Sequence, residues 1–306
     1  MTNHLQKSKL KGNMTKSKWA FFFATAFVVF ALYFIFCVVP ILQSVRMSFY
    51  DWAGMQKKTY IGFKNYAAVF KEPRFWRAFK NDLILTGIKE VVICFLTVLF
   101  AVSLTRFKMR EGEIIFYKFV FYIPNVLSTV IIGLVWRFTF ISGDQGLFNA
   151  ILSLFSGGTD VAWLVERPAS VIGFVASWCG VGLFMLTMMA AIHQVPGELY
   201  EAAKIDGATE LQQLKYVTMP AVWLQLTFMI VSILYQSLGG NFALVNVMLP
   251  GQLSKNFEVM GLFVYKEGLD MSRYGYSYAA SLVMLLITSV MSLSVKFFMD
   301  KAGDRE

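Results

Sequence analysis

Little in this chain could make or break covalent bonds. It holds two His, His4 and His193, and three dispersed Cys, Cys37, Cys94 and Cys179, with no C-x2-C pair, so neither a metal set nor a redox pair is expected. No G-x4-G-K-[ST] loop is present to cradle a nucleotide phosphate. Two other groups of residues stand out. Ser232, Tyr235, Gln236 and Asn241 lie in one apolar run, Trp178 and Gly182 in another. Amides, hydroxyls, rings and close backbone approach suit binding rather than catalysis. The same types also serve helix packing and interface anchoring, and both roles stay open. The second group is Glu198, Tyr200, Glu201, Ala202, Ala203, Asp206, Gly207 and Ala208, a polar and small-residue stretch between two apolar runs.

The elements that must position these residues are membrane spans. The 306 residues are 57% hydrophobic and only 15% charged, with 30 Phe, which excludes disorder, a disulfide scaffold and an ordinary water-soluble core. A net charge of +9 suggests nucleic acid, but the basic residues fall between apolar runs, where head groups and topology account for them. A span needs about 20 apolar residues. The chain is therefore all-α, with six crossings at about residues 19–42, 83–105, 119–141, 168–192, 221–244 and 274–297. A tail at 1–18, a connecting loop at 193–220 and a tail at 300–306 complete the expected layout. The second crossing contains Lys89 and Glu90; Lys89 is expected to snorkel to the nearby interface, the alternative being a functional intramembrane charge. Arg137 poses the same choice between snorkelling and a gate ion pair. Lys7, Lys9, Lys11, Lys16 and Lys18 precede the first span, which is too long for a secretory signal and reads as an uncleaved anchor with both chain termini in the cytoplasm. Lys and Arg divide nearly evenly between the two sides. Most of the outer share lies in residues 43–82, whose spaced aromatics suggest helices along the membrane surface.

The polar stretch is ordered like a helical pair. Pro196 suits a first helical turn, Glu198 and Glu201 sit at its positive end, and Asp206-Gly207 can stop one helix and cap the next, which runs to about Val217 before Pro220. Glu201-Ala202-Ala203, three residues, Gly207, nine residues, Val217, one residue, Met219 and Pro220 resembles the EAA loop of ABC importer permeases, E-A-A-x3-G-x9-I-x-L-P, with Val217 in place of the usual Ile and Met219 of the usual Leu. Ile61-Gly62-Phe63-Lys64-Asn65-Tyr66, Tyr122-Ile123-Pro124-Asn125, Gly146-Leu147-Phe148-Asn149, Ala162-Trp163-Leu164 and Tyr274-Gly275-Tyr276 extend the likeness over nearly the whole chain, towards carbohydrate-uptake permeases of the MalF type. One departure is Leu249-Pro250-Gly251-Gln252, where that family often carries Thr-x-Gly-Gly-Pro.

The resemblance implies a type I ABC importer permease that is not itself an enzyme. Its coupling loop, Glu198 to Ala208, would dock into an ATPase subunit. Implied partners are a second homologous permease, two ABC ATPase subunits that hold the ATP and Mg, an extracellular solute-binding protein, a carbohydrate and membrane lipid. No cofactor on this chain and no nucleic acid are implied. Sugars present hydroxyl edges and C–H faces, so Asn241, Gln236, Tyr235, Ser232, Trp178 and Gly182 become the candidate substrate contacts. An ion-coupled secondary transporter would share the composition, but it should bury ionisable residues along a path and usually repeats internally. A membrane-embedded enzyme would need a nucleophile with its base, or metal ligands, within the spans.

Overall fold

Glu72 and Pro73 begin the longest helix of the molecule. In the computed structural model the Glu72 carboxylate accepts the Arg74 N–H at 3.1 Å and Pro73 occupies the first turn, where its missing N–H costs nothing. The helix then runs unbroken over Pro73–Arg106, 34 residues, or about 51 Å of rise. The structure describes residues 16–55, 57–107, 109–143, 145–156, 160–251 and 253–303. His4, Lys7, Lys9, Lys11, Lys108, Gln252 and the last three residues lie outside these.

Among the described residues four helices are long and apolar enough to cross a membrane alone: Phe21–Met47, Pro73–Arg106, Pro168–His193 and Tyr274–Gly303. Two bent pairs, Glu111–Val126 with Thr129–Thr139 and Glu210–Ala221 with Trp223–Ser237, bring the number to six. These are called the first to sixth spans in chain order. Phe21–Met47 stands apart, with none of its apolar window buried against the rest of the chain.

Three expected boundaries are corrected. The second span starts ten residues before Leu83, because Glu72 and Pro73 form a start signal that hydropathy alone does not register. Phe75, Trp76 and Phe79 therefore belong to the span rather than to a surface helix, and Lys89 and Glu90 fall near its middle. The third span is not one rod: its two helices meet at 100°. Pro124 removes a backbone donor, Leu127 is extended, and the Ser128 hydroxyl accepts the Val130 N–H at 3.4 Å to start a new helix. The fifth span stops at Ser237, not near Leu244. Leu238 turns extended, Gly239 takes φ +98°, and a short helix resumes over Phe242–Met248.

The second and fourth spans pack along their length because small residues of the fourth face branched residues of the second. A Cβ at Gly173 would meet Ile88 Cγ2 at 2.7 Å, and one at Gly180 would meet Ile93 Cδ1 at 2.6 Å. Gly182 is tighter still, since a Cβ there would overlap the Phe121 carbonyl and come within 2.8 Å of Tyr122 Cα on the third span. Overpacking of this kind costs typically about 1–3 kcal/mol, and more where the obstacle is backbone. Gly182→Leu is accordingly expected to lower the melting temperature of the detergent-solubilised protein and its membrane level. An unchanged melting curve would show that the third span is free to move away.

At the end of the molecule where the second span begins, a short antiparallel pairing of Tyr50–Asp51 with Thr59–Tyr60 leads into the helix Lys64–Lys71. Asn65 holds this corner by donating to Ser48 O at 2.8 Å and Tyr50 O at 3.0 Å, while Tyr66 Oη and Ser48 Oγ share a hydrogen bond of 2.6 Å. Nearby, Trp163 Nε1 donates to Asn149 Oδ1 at 2.7 Å, joining two segments that the sequence separates.

Candidate functional site

The polar stretch folds as two helical pieces at the other end of the second span. Pro196 lies just outside the helix Gly197–Ile205, with φ −57° and ψ 131°, and so caps it rather than opening its first turn. At the far end of that helix the Gly207 N–H donates to Lys204 O at 3.0 Å and the Ala208 N–H to Ala203 O at 2.9 Å, a closure that places Gly207 at φ +81°. Thr209 starts the next piece with a reciprocal cap: its hydroxyl accepts the Gln212 N–H at 3.4 Å and its own N–H donates to Gln212 Oε1 at 2.7 Å. A π turn over Leu214–Thr218 and a kink at Val222 then turn the chain into the fifth span.

The faces of Gly197–Ile205 have opposite roles. Glu198, Glu201, Ala202 and Ile205, spaced three and four apart, form one exposed stripe, and Ile205 is 87% exposed. Asp206 and Gly207 extend the exposed surface, whereas Ala203 and Ala208 are half-buried. Only Ala202 of the Ala pair therefore fronts solvent. Tyr200 points inward: its Oη shares a hydrogen bond of 3.0 Å with Thr218 Oγ1, and the Arg106 guanidinium lies 3.6 Å from its ring centroid. Arg106 Nη2 donates to Gln213 Oε1 at 2.7 Å and lies 3.6 Å from Glu210 Oε2. The last residue of the second span thus grips both pieces of the loop at once.

Inside the span region a cavity of about 270 Å³ is lined by Lys89, Asn125, Gln236, Gly240 and Asn241, with Cys179 among the apolar wall residues. Of the six expected contacts, Gln236 and Asn241 reach it. The others are placed elsewhere. Tyr235 faces outward at 60% exposure, Trp178 packs edge-on against Trp136 at 5.6 Å, Gly182 abuts the third-span backbone, and Ser232 is half-buried off the cavity wall. For Tyr235 the physical reason is rotation about the helix, since consecutive residues cannot share a face and Gln236 takes the one that looks into the cavity; Ser232, one turn before Gln236, shares its side of the helix but does not reach the cavity wall.

Two residues beside the cavity depart from expectation. Lys89 does not snorkel; its Nζ donates to Asn241 Oδ1 at 3.4 Å. Asp82, fully buried two turns earlier on the same helix, accepts Asn241 Nδ2 at 3.0 Å and the Met260 N–H at 2.7 Å. The sequence contains a signal for this pair, namely the seven-residue spacing that puts Asp82 and Lys89 on one helical face. The expected start at Leu83 left Asp82 outside the span. Further along, Arg74 forms a two-pronged pair with Glu258, at 2.6 and 2.7 Å, and reaches Glu267 at 2.7 Å, and Arg273 completes the cluster on Glu267 at 2.8 Å. Beside the cluster opens a cavity of about 830 Å³. No carboxylate lies within ion-pair distance of Arg137 among the described residues.

The second span therefore has a polar grip at each end and one in the middle, linking an exposed helix, a central cavity and a wider cavity at the opposite end. Comparison with known proteins agrees with such a conduit. Residues 98–302 match the family model of the binding-protein-dependent transport system inner membrane component. Probable ABC transporter permease protein YurN of Bacillus subtilis (strain 168) is 33% identical, over 92% of this chain and 96% of that one. Arabinooligosaccharides transport system permease protein AraP of Halalkalibacterium halodurans is 29% identical, over 92% and 87%. Among solved structures, a bacterial alginate ABC transporter in complex with alginate pentasaccharide-bound periplasmic protein superposes with a TM-score of 0.79 at 25% identity, over 95% of this chain and 96% of that one. The fold is that of the type I ABC importer permeases, and the chain belongs to the family of binding-protein-dependent transport system inner membrane components.

Proposed function

We propose that this chain is one permease subunit of an ATP-driven importer for a carbohydrate, with a second homologous permease completing the pathway and two ATPase subunits engaging the pair from the cytoplasm. The observation that carries the reading is the exposed stripe Glu198, Glu201, Ala202 and Ile205 on a helix whose buried face is held by Arg106 and Thr218. Such a helix offers two carboxylates, Ala202 and the apolar Ile205 to a partner while moving as one body with the second span. ATP and Mg belong to the ATPase subunits, and this chain carries no cofactor and no catalysis of its own. Closing of the ATPases around the helix rocks the spans, and ATP acts only through its differential affinity for the closed arrangement. An extracellular binding protein delivers the solute to the end where Arg74 and Glu258 lie, and both termini are cytoplasmic.

Sugar as cargo is supported by relatives named for arabinooligosaccharides and for diacetylchitobiose. Amide groups of Asn125, Gln236 and Asn241 around the central cavity suit hydroxyl-bearing solutes. Family membership favours binding-protein-dependent uptake over ion coupling.

The docking assignment is tested with a single Cys at Ala202, after replacing Cys37, Cys94 and Cys179 by Ser. A bifunctional thiol reagent is expected to join Ala202→Cys to an ATPase subunit, and a membrane-impermeant maleimide is expected to label it only in broken cells. Labelling in intact cells, or no crosslink to an ATPase, would overturn the assignment.

A further inference from the structure

Lys89 is the seventeenth residue of a 34-residue helix, so about 24 Å of helix separates it from either end. In this packing its side chain is held inward on Asn241 instead of turning to an interface. An ammonium held at that depth needs a partner, because taking a charge out of water is costly unless it is matched. Asp82 is not a direct match. Both of its oxygens are engaged, by Asn241 Nδ2 at 3.0 Å and the Met260 N–H at 2.7 Å, and among the described residues no carboxylate lies within 4.0 Å of Lys89 Nζ. Glu90 sits next in the chain, about a quarter-turn round the helix; it takes a weak contact from Cys94 Sγ at 3.9 Å and does not line the cavity.

The result is a wall with a fixed polarity. Asp82 holds the Asn241 amide nitrogen, so the Asn241 carbonyl oxygen faces Lys89 and takes one of its three N–H donors at 3.4 Å. The remaining donors border a cavity of about 270 Å³ that also holds the amides of Asn125 and Gln236. The wider cavity at the opposite end from the coupling helix repeats the sign. Arg74, Arg77, Lys80, Lys255 and Lys266 line it against Glu258 and Asp270. Arg77, Lys80 and Lys255 have no carboxylate within 4.0 Å among the described residues. Cationic clefts with low-dielectric walls raise the local concentration of anions.

We propose that the solute of this permease is an acidic saccharide, whose carboxylate is drawn in along Arg77 and Lys80 and becomes the direct counter-ion of Lys89 in the central cavity. Asp82 is a positioning residue that acts through Asn241. The proposal rests on the carbohydrate-importer reading and narrows its substrate class. Were Lys89 only a clasp for Asn241, its loss would alter stability but not preference for charge.

The test uses a strain lacking this gene, with the rest of the importer intact, complemented by the wild type, Lys89→Met or Lys89→Arg. The probes are radiolabelled uronate-containing oligosaccharides, each paired with its carboxyl-reduced twin. A charge-assisted contact is worth about tenfold or more in affinity. Wild type is therefore expected to import at least one acid about tenfold faster than its twin. Lys89→Met should erase that preference at unchanged membrane level, and Lys89→Arg should keep it to within about threefold. If Lys89→Met fails to accumulate, Lys89→Gln takes its place. Import of the neutral twins at equal or higher rates leaves the carbohydrate reading standing and overturns the acidic one, as does an acid preference that survives removal of the cation. Import of neither kind overturns both.

Discussion

Gly207→Pro is expected to abolish uptake while the protein remains in the membrane at its normal level. Proline fixes φ near −65° and lacks an N–H, whereas Gly207 sits at φ +81° and donates to Lys204 O at 3.0 Å. The turn between Gly197–Ile205 and Glu210–Gln213 therefore cannot form as observed. Nothing lies within 4 Å of where a Cβ at Gly207 would be, so the effect is on backbone conformation and not on packing. Gly207→Ala separates these two causes. It keeps the N–H and pays only the left-handed strain of about 1–2 kcal/mol, so it should retain part of the transport. A penalty of about 3 kcal/mol for proline corresponds to more than about a hundredfold loss. The measurement is solute uptake alongside ATP hydrolysis by the purified complex, with hydrolysis expected to lose its dependence on the loaded binding protein. Glu201→Lys, a change on the exposed stripe at a residue with no ion-pair partner among the described residues, should weaken the same dependence with no change in membrane level. Full uptake by both Gly207→Pro and Glu201→Lys would remove the coupling role from this helix.

The coupling stretch was legible because its signals are local. A glycine that stops the helix and the small pair Ala202-Ala203 both act within a few residues, and spacing alone reports them, whereas the cap of the next piece falls on Thr209 and not on Asp206-Gly207 as expected. The spans were legible as apolar length, but their starts and breaks were not. Hydropathy cannot register that Glu72 and Pro73 start a helix, or that Ser128 restarts one after Leu127. The central cavity was the least legible part. Whether Gln236 or Tyr235 looks inward is a matter of about 100° of rotation, fixed only when the fifth span packs on its neighbours. Asp82, Asn241 and Met260 meet across long sequence separations, as do Arg74, Glu258 and Glu267. No window on the chain contains both halves of either contact.

These distant contacts have a common element, since Arg74, Asp82, Lys89 and Arg106 all project from one unbroken helix. A rigid rod gripped at three levels converts a displacement at one end into a displacement at the others, provided the grips hold. Glu258 and Glu267 at the first grip are almost wholly buried. Two buried carboxylates there are matched by Arg74, with Lys266 and Arg273 at 3.3 and 2.8 Å. Removing one member of such a buried network leaves uncompensated charge and is costly. At the opposite end the grip is a single guanidinium.

Arg106→Ala is for that reason expected to disconnect the coupling helix from the second span. The substitution removes the stack on the Tyr200 ring, the 2.7 Å hydrogen bond to Gln213 and the 3.6 Å pair with Glu210 in one step. The partly buried hydrogen bond and the cation–π contact are worth about 1–3 kcal/mol together, while the pair with exposed Glu210 adds little. Tyr200 keeps its bond to Thr218, so the helix Gly197–Ile205 stays folded and the exposed stripe remains available to a partner. The expected outcome is an assembled complex whose ATPase still turns over but whose uptake falls about tenfold or more. Arg106→Lys separates charge from shape. Lysine keeps the positive charge but cannot lie flat on the ring while reaching Gln213, and so should recover only part of the loss. Gln213→Leu, which removes one of the three contacts together with the bond that Gln213 Nε2 donates to Ala208 O at 3.0 Å, should fall between wild type and Arg106→Ala. The measurement is the ratio of solute imported to ATP hydrolysed in proteoliposomes containing the complete importer. A ratio equal to wild type in Arg106→Ala would show that motion reaches the spans through the kink at Val222 alone.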